Sequence, residues 1–221
     1  MPSDDAAGPP APRGRLITFE GGEGAGKTTQ LARLAGRLEG RGLDVVRTRE
    51  PGGTPEAEAI RRLLVEGAAA RWLPSTELLL AAAARDEHLH RLVLPALARG
   101  AWVLCDRYLD STFVYQGLAG GLGLERIAVL HDRVMGAPRP DLTLLLDLPV
   151  EEGLRRRRAE GAGGRFEAKG AAFHERVRDG FRRLAIAEPD RIATLDASLP
   201  PDAVAEAVSA AVARRFGLAD R

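Results

Sequence analysis

Residues Gly21–Thr29 constrain this chain more than any other stretch. They read Gly-Gly-Glu-Gly-Ala-Gly-Lys-Thr-Thr, and the pattern G-x-x-x-x-G-K-[ST] falls on Gly21, Gly26, Lys27 and Thr28. Before it lies an apolar run, Leu16-Ile17-Thr18-Phe19, short enough for a buried strand. After it, Leu31, Leu34, Ala35 and Leu38 recur at i, i+3, i+4 and i+7, which marks one face of a helix. Strand, glycine loop and helix together form the setting of a P-loop. Gly21, Gly22, Gly24 and Gly26, with the small Ala25, let backbone N–H groups converge on a phosphate. The helix N-terminus adds roughly half a positive charge at the same point. In this reading the whole run Gly21–Thr29 holds a nucleoside triphosphate: Lys27 reaches the β- and γ-phosphates, and the Thr28 hydroxyl binds Mg²⁺. With 25 Gly, two Lys and fourteen Ser or Thr in the chain, roughly 0.002 chance matches are expected, so accident is a poor explanation. Lys27 is one of only two lysines among 32 basic residues. A P-loop wants a compact point charge where arginine is a broad fork.

The remaining elements alternate. Leu43–Thr48 reads as a second strand, and its exit Thr48-Arg49-Glu50-Pro51-Gly52-Gly53-Thr54 forms a stiff loop at the ligand edge of a parallel sheet. A helix from Pro55 is expected to turn Ile60, Leu63 and Leu64 inward. Ser75 or Thr76 can cap a longer helix running to about Arg99, with Leu78, Leu79, Ala82, Leu89, Leu92, Val93 and Leu97 on its apolar face. Arg85-Asp86-Glu87-His88 interrupts that face, by default as a solvated charge cluster, although Arg85 could equally point into a cleft. Trp102–Cys105 is a third strand leading to Asp106 and Arg107. An acid at a strand end suits Mg²⁺ opposite Thr28, and the neighbouring arginine suits an anionic substrate. Ser111, Thr112, Tyr115 and Gln116 follow as a polar and aromatic pocket wall.

A fourth strand, Leu142–Leu146, ends in the rival acid Asp147, read here as a loop cap. Four arginines, Arg155–Arg158, then run into a glycine-rich stretch carrying Arg165, and residues 153–170 read as a mobile lid closing arginines over phosphates. Helix 173–187, a fifth strand 191–196 and an amphipathic helix 201–216 complete the chain. The pattern is α/β: a P-loop NTPase-type three-layer fold with a five-stranded parallel sheet flanked by helices. Residues 15–217 form one domain, and 1–14, rich in Pro, Gly, Ala and Asp, read as a disordered extension. A net charge of +1 gives no field for nucleic acid or membrane, and a single cysteine, Cys105, suits a cytoplasmic setting.

Gly21–Thr29, Thr48–Thr54, Asp106-Arg107-Tyr108, Ser111-Thr112 and Tyr115-Gln116-Gly117 together resemble bacterial thymidylate kinases, in order and spacing, over roughly residues 15–215. The resemblance implies a cytoplasmic homodimer that uses ATP and Mg²⁺ to phosphorylate dTMP to dTDP on the way to dTTP. It implies that Thr28 and Asp106 position Mg²⁺ and that Arg107 binds the acceptor phosphate. Arg85 would read the thymine edge, and Arg49, Glu50, Ser111, Thr112, Tyr115 and Gln116 would complete the acceptor site. Glu23, where some members carry a loop arginine, places the chain in the group with a catalytic lid arginine, and Arg165 is the expected one. Ala81 stands where the family usually has a phenylalanine that stacks on the base. A kinase for another nucleoside monophosphate is the alternative. A GTPase is disfavoured because the chain has no asparagine for a base-reading Asn-Lys-x-Asp motif, and a motor ATPase because Leu148, not Glu, follows Asp147.

Overall fold

The computed structural model describes residues 13–159, 161 and 164–218. Most of the expected N-terminal extension, residues 1–12, lies outside the described residues. Gly14 belongs to the fold: its amide donates to Leu97 O, and a Cβ there would lie 2.1 Å from Ala101 O.

Five strands form one parallel sheet in the order β2-β3-β1-β4-β5: β1 Arg15–Glu20, β2 Val45–Arg49, β3 Trp102–Asp106, β4 Leu142–Asp147 and β5 Ile192–Asp196. β1 sits in the middle, so both its faces must be apolar. Its alternation serves two cores. Ile17 and Phe19 join Leu104, Leu144 and Leu146 under helices α1 (Lys27–Glu39) and α9 (Pro201–Phe216). Leu16 joins Val103, Cys105 and Leu145 under the other layer. That layer holds α3 (Pro74–His88), which continues through a π-helical turn (Leu89–Val93) into α4 (Leu94–Ala98). It also holds α5 (Leu109–Thr112) with the π-helical segment Phe113–Leu118, then α6 (Leu124–Val129) and α8 (Ala171–Ala187). Helices α2 (Pro55–Val65) and α7 (Val150–Ala159) stand over the C-terminal edge of the sheet.

Three local expectations are corrected. α3 starts at Pro74 behind Leu73, with no side-chain cap from Ser75 or Thr76, because proline already fits the first helical turn. Leu79 is 62 % exposed, since the core face of α3 runs through Leu78, Ala82 and Arg85 and on to Leu89 of the π-helical turn. On α2 it is Ala57 and Leu64 that are buried, while Leu63 faces outward.

Candidate active site

The loop after β1 has its shape forced by contacts. Gly21 has φ +138°, and a Cβ on it would lie 2.4 Å from Leu146 O; Gly24, at φ +68°, would meet Gly153 O at 2.3 Å. Only glycine fits either place. Lys27 curls back over the loop and donates to Gly22 O (2.8 Å) and Gly21 O (3.2 Å). Burial, then the neighbouring Arg107, pulls its ammonium down to about 8. Thr28 Oγ1 donates to Asp106 Oδ2 at 2.6 Å, so hydroxyl and carboxylate stand together at the head of the loop. No group of three or more His, Cys, Asp or Glu that could hold a metal exists among the described residues. The paired hydroxyl and carboxylate of Thr28 and Asp106 are hard oxygen donors of the kind a divalent cation takes.

Asp147 is not placed for that task. Its carboxylate takes Arg178 Nε (2.8 Å) and Arg182 Nη2 (2.8 Å) from α8, so its side chain is an ion-pair partner rather than a loop cap.

Arg107 follows β3 with φ +66°, a left-handed conformation unusual for a side-chain-bearing residue. Its Nη1 donates to Gly21 O (3.0 Å) and Ser111 Oγ (3.2 Å), its Nη2 to Glu23 Oε1 (2.8 Å), and the Tyr115 ring lies 5.1 Å from its guanidinium carbon. Tyr115 Oη also donates to Glu23 Oε1, at 2.9 Å. Burial opposes ionisation of Glu23, but Arg107 and Lys27 outweigh it and hold its carboxyl down at about 2. Glu23 thus links the donor loop to the arginine expected on the acceptor side.

The turn that strains Arg107 is clamped by a residue the sequence reading passed over. Glu20, fully buried, accepts Tyr108 N (2.8 Å), Ser111 N (3.1 Å) and Ser111 Oγ (2.6 Å). Burial, then Asp110, raises its carboxyl to about 7. The available signal was a carboxylate closing the strand directly before Gly21, right after the apolar Phe19.

Deeper in the cleft, Arg85 Nε donates to Glu50 Oε2 (2.7 Å) and Arg85 Nη2 to Thr112 Oγ1 (2.9 Å). His88 Nδ1 lies 2.9 Å from Glu50 Oε1, and its Nε2 lies 2.7 Å from Thr48 Oγ1. Gln116 lies one turn beyond Thr112 and donates to the buried Glu77. Arg49 is half exposed and forked onto Glu58. Arg61 of α2, also unforeseen, faces the cleft and donates to Pro51 O at 2.6 Å. Burial, then Arg49 and Arg107, lowers its guanidinium, so these arginines together make a place that favours an anion.

The lid arginines divide. Arg156 (α7) donates to Glu152 and to Ala197 O, Arg157 donates to Glu167, and both border the cleft. Arg165 borders it too, but its side chain has no exposed surface. Its Nε donates to Leu64 O (2.8 Å), its Nη1 to Ala69 O (3.0 Å), and both terminal nitrogens to Glu77 Oε1 (2.7 Å). In this structure the guanidinium expected to face the phosphates is engaged by Glu77 and two backbone carbonyls, where it anchors this part of the expected lid. Residues 160, 162 and 163 of the expected lid lie outside the described residues.

Lys27, Thr28, Asp106, Arg107, Arg85 and Gln116 line one cleft of about 1540 Å³, with Glu20, Glu77 and His88 behind its wall. A single small-molecule pocket is ~300–1,000 Å³, so this one has room for two nucleotides.

The thymidylate kinase family model matches residues 19–208. The chain is 56% identical over 206 residues to a thymidylate kinase of Caulobacter vibrioides, covering 93% of this chain and 99% of that protein. It is 54% identical over 193 residues to one of Rhizorhabdus wittichii, covering 86% and 93%. The crystal structure of a thymidylate kinase from Ehrlichia chaffeensis superposes with a TM-score of 0.72 at 35% identity, over 91% of this chain and 99% of that one. A match of this breadth, over a cleft that places a phosphate loop opposite an arginine-rich pocket, shows that the chain belongs to the thymidylate kinase family.

Proposed function

We propose that the cleft transfers the γ-phosphoryl group of ATP to dTMP, giving dTDP and ADP. The observation that carries this is the pairing of Lys27 and the glycine loop with Arg107 across one cleft, joined through Glu23. The loop amides and Lys27 hold the donor phosphates. Arg107, with Arg61 and Arg49, receives the acceptor phosphate, and Arg85, Thr112 and Gln116 receive the base. Tyr115 and Ser111 fix the Arg107 side chain, and Glu50 fixes Arg85. The nucleophile is an ionised phosphate, so no strong base is required; positioning and charge neutralisation lower the barrier. Thr28 and Asp106 would hold Mg²⁺, which would supply neutralisation of the donor's phosphate charge. Arg156 and Arg157 are the lid arginines that fit the role first expected of Arg165, because both border the cleft with side chains still partly exposed, where that of Arg165 is sealed.

The homodimer and the cytoplasmic setting rest on the family resemblance. Among the described residues no helix is long and apolar enough to cross a membrane. Purified protein with ATP and Mg²⁺ should phosphorylate dTMP in preference to dUMP, UMP and CMP, and lose activity to a chelator. Equal turnover of all four acceptors would reject the assignment in favour of a general nucleoside monophosphate kinase.

A further inference from the structure

The buried carboxylate of Glu77 joins two parts of the molecule with no neighbouring sequence. Its Oε1 takes Arg165 Nη1, Arg165 Nη2 and Lys169 Nζ, each at 2.7 Å. Its Oε2 takes Gln116 Nε2 at 3.2 Å. A carboxylate carrying two cations only accepts hydrogen bonds. The Gln116 amide is therefore not free to turn over: its NH₂ must face Glu77, and its carbonyl Oε1 is the group left for the cleft that Gln116 lines. Arg85, which only donates, lines the same cleft and is tied to Thr112, one turn before Gln116. Its neighbour Thr112 already accepts one of its protons, and Glu50 holds the guanidinium in place.

We propose that Glu77 is a specificity-setting residue that acts through Gln116, fixing a donor–acceptor pair, Arg85 and Gln116 Oε1, that reads the edge of the acceptor base. Adjacent C=O and N3–H groups of thymine or uracil complement that pair. Cytosine offers an amine and a bare ring nitrogen, inverted at both places. The cations on Glu77 keep the arrangement from relaxing, and one of them, Lys169, is the second of only two lysines in the chain. This inference rests on the thymidylate reading of the cleft.

The test is the double substitution Glu77→Gln with Lys169→Met, which preserves the net charge of the cluster. Arg165 would hold the new amide's oxygen where Oε1 now sits, which turns its NH₂ toward Gln116. The Gln116 amide must then flip and present its own NH₂ to the base. The expected result is a fall of roughly tenfold or more in the ratio of kcat/KM for dTMP to that for dCMP. The change should lie in KM, with kcat for dTMP little altered. A folded double variant with the wild-type ratio overturns the proposal. If that variant does not fold, Gln116→Leu decides: it removes the acceptor with little change of volume, and an unchanged ratio again overturns the proposal. Wild-type enzyme is assayed alongside. If it shows no preference for dTMP over dCMP, the thymidylate reading falls too, an outcome distinct from a variant ratio that stays put.

Discussion

Replacing Arg165 by methionine separates an anchoring arginine from a catalytic one. In the structure this side chain is fully buried and gives charge-assisted bonds to Glu77 and bonds to the carbonyls of Leu64 and Ala69. Removing one partner of a buried ion pair costs about 3–5 kcal/mol, because the other charge is left behind. Lys169 still reaches Glu77, which puts the carboxylate part of the cost at the low end, while the two orphaned carbonyls add to it. A net loss of about 3 kcal/mol is then expected, and for a domain of this size that lowers Tm by about 6–12 °C. Turnover measured well below the melt should fall only modestly. A catalytic lid arginine would behave in the opposite way, leaving Tm alone and cutting kcat by roughly 10³–10⁵. Thermal melts followed by fluorescence, with steady-state kinetics on the same preparation, distinguish the two. A variant with wild-type Tm and kcat reduced a thousandfold or more would refute the anchoring argument and return Arg165 to the phosphates.

Other consequences are as direct. Arg61→Ala should raise KM for dTMP by about 10–100-fold, the worth of one charged hydrogen bond at about 1.5–3 kcal/mol, and leave KM for ATP nearly unchanged. Glu23 falls from a usual 4.5 to about 2 in the folded state. The unfolded chain thus binds its proton more readily, and the group stabilises the fold above its unfolded value. That contribution, about 3 kcal/mol, is lost as pH falls through the window between the two values. Urea melts at about pH 5 and about pH 3 should show the wild type losing more stability than Glu23→Gln over that interval; equal losses would contradict the assignment. Ala81 lines the cleft without a ring. Ala81→Phe should lower KM for dTMP by about tenfold, within the ~1–3 kcal/mol that base–aromatic stacking is worth, and an unchanged KM would mean that the base does not lie over this position.

Much of the molecule was legible one residue at a time. The glycine loop, the alternation of strands and helices, and helix 201–216 follow from patterns that repeat within a few residues, and local geometry alone imposes them. Asp106 and Arg107 were readable because their position at the end of an apolar strand says which edge of the sheet they occupy. Leu63 and Leu79 misled because a helix face is a stripe, and its width depends on what packs against it.

What the chain could not announce was which charges are already partnered. Arg165 finds Glu77 across 88 positions, Glu20 finds Ser111 across 91, and Arg85 finds Glu50 across 35. An arginine in a glycine-rich lid looks the same in sequence whether it faces solvent, a phosphate or a buried carboxylate. The sequence by itself determined that a nucleoside triphosphate site exists and where its loop begins, because that chemistry is local. The tertiary structure decided which arginines already have partners within the fold, because hydrogen-bond capacity is consumed by whichever groups the fold brings within about three ångströms.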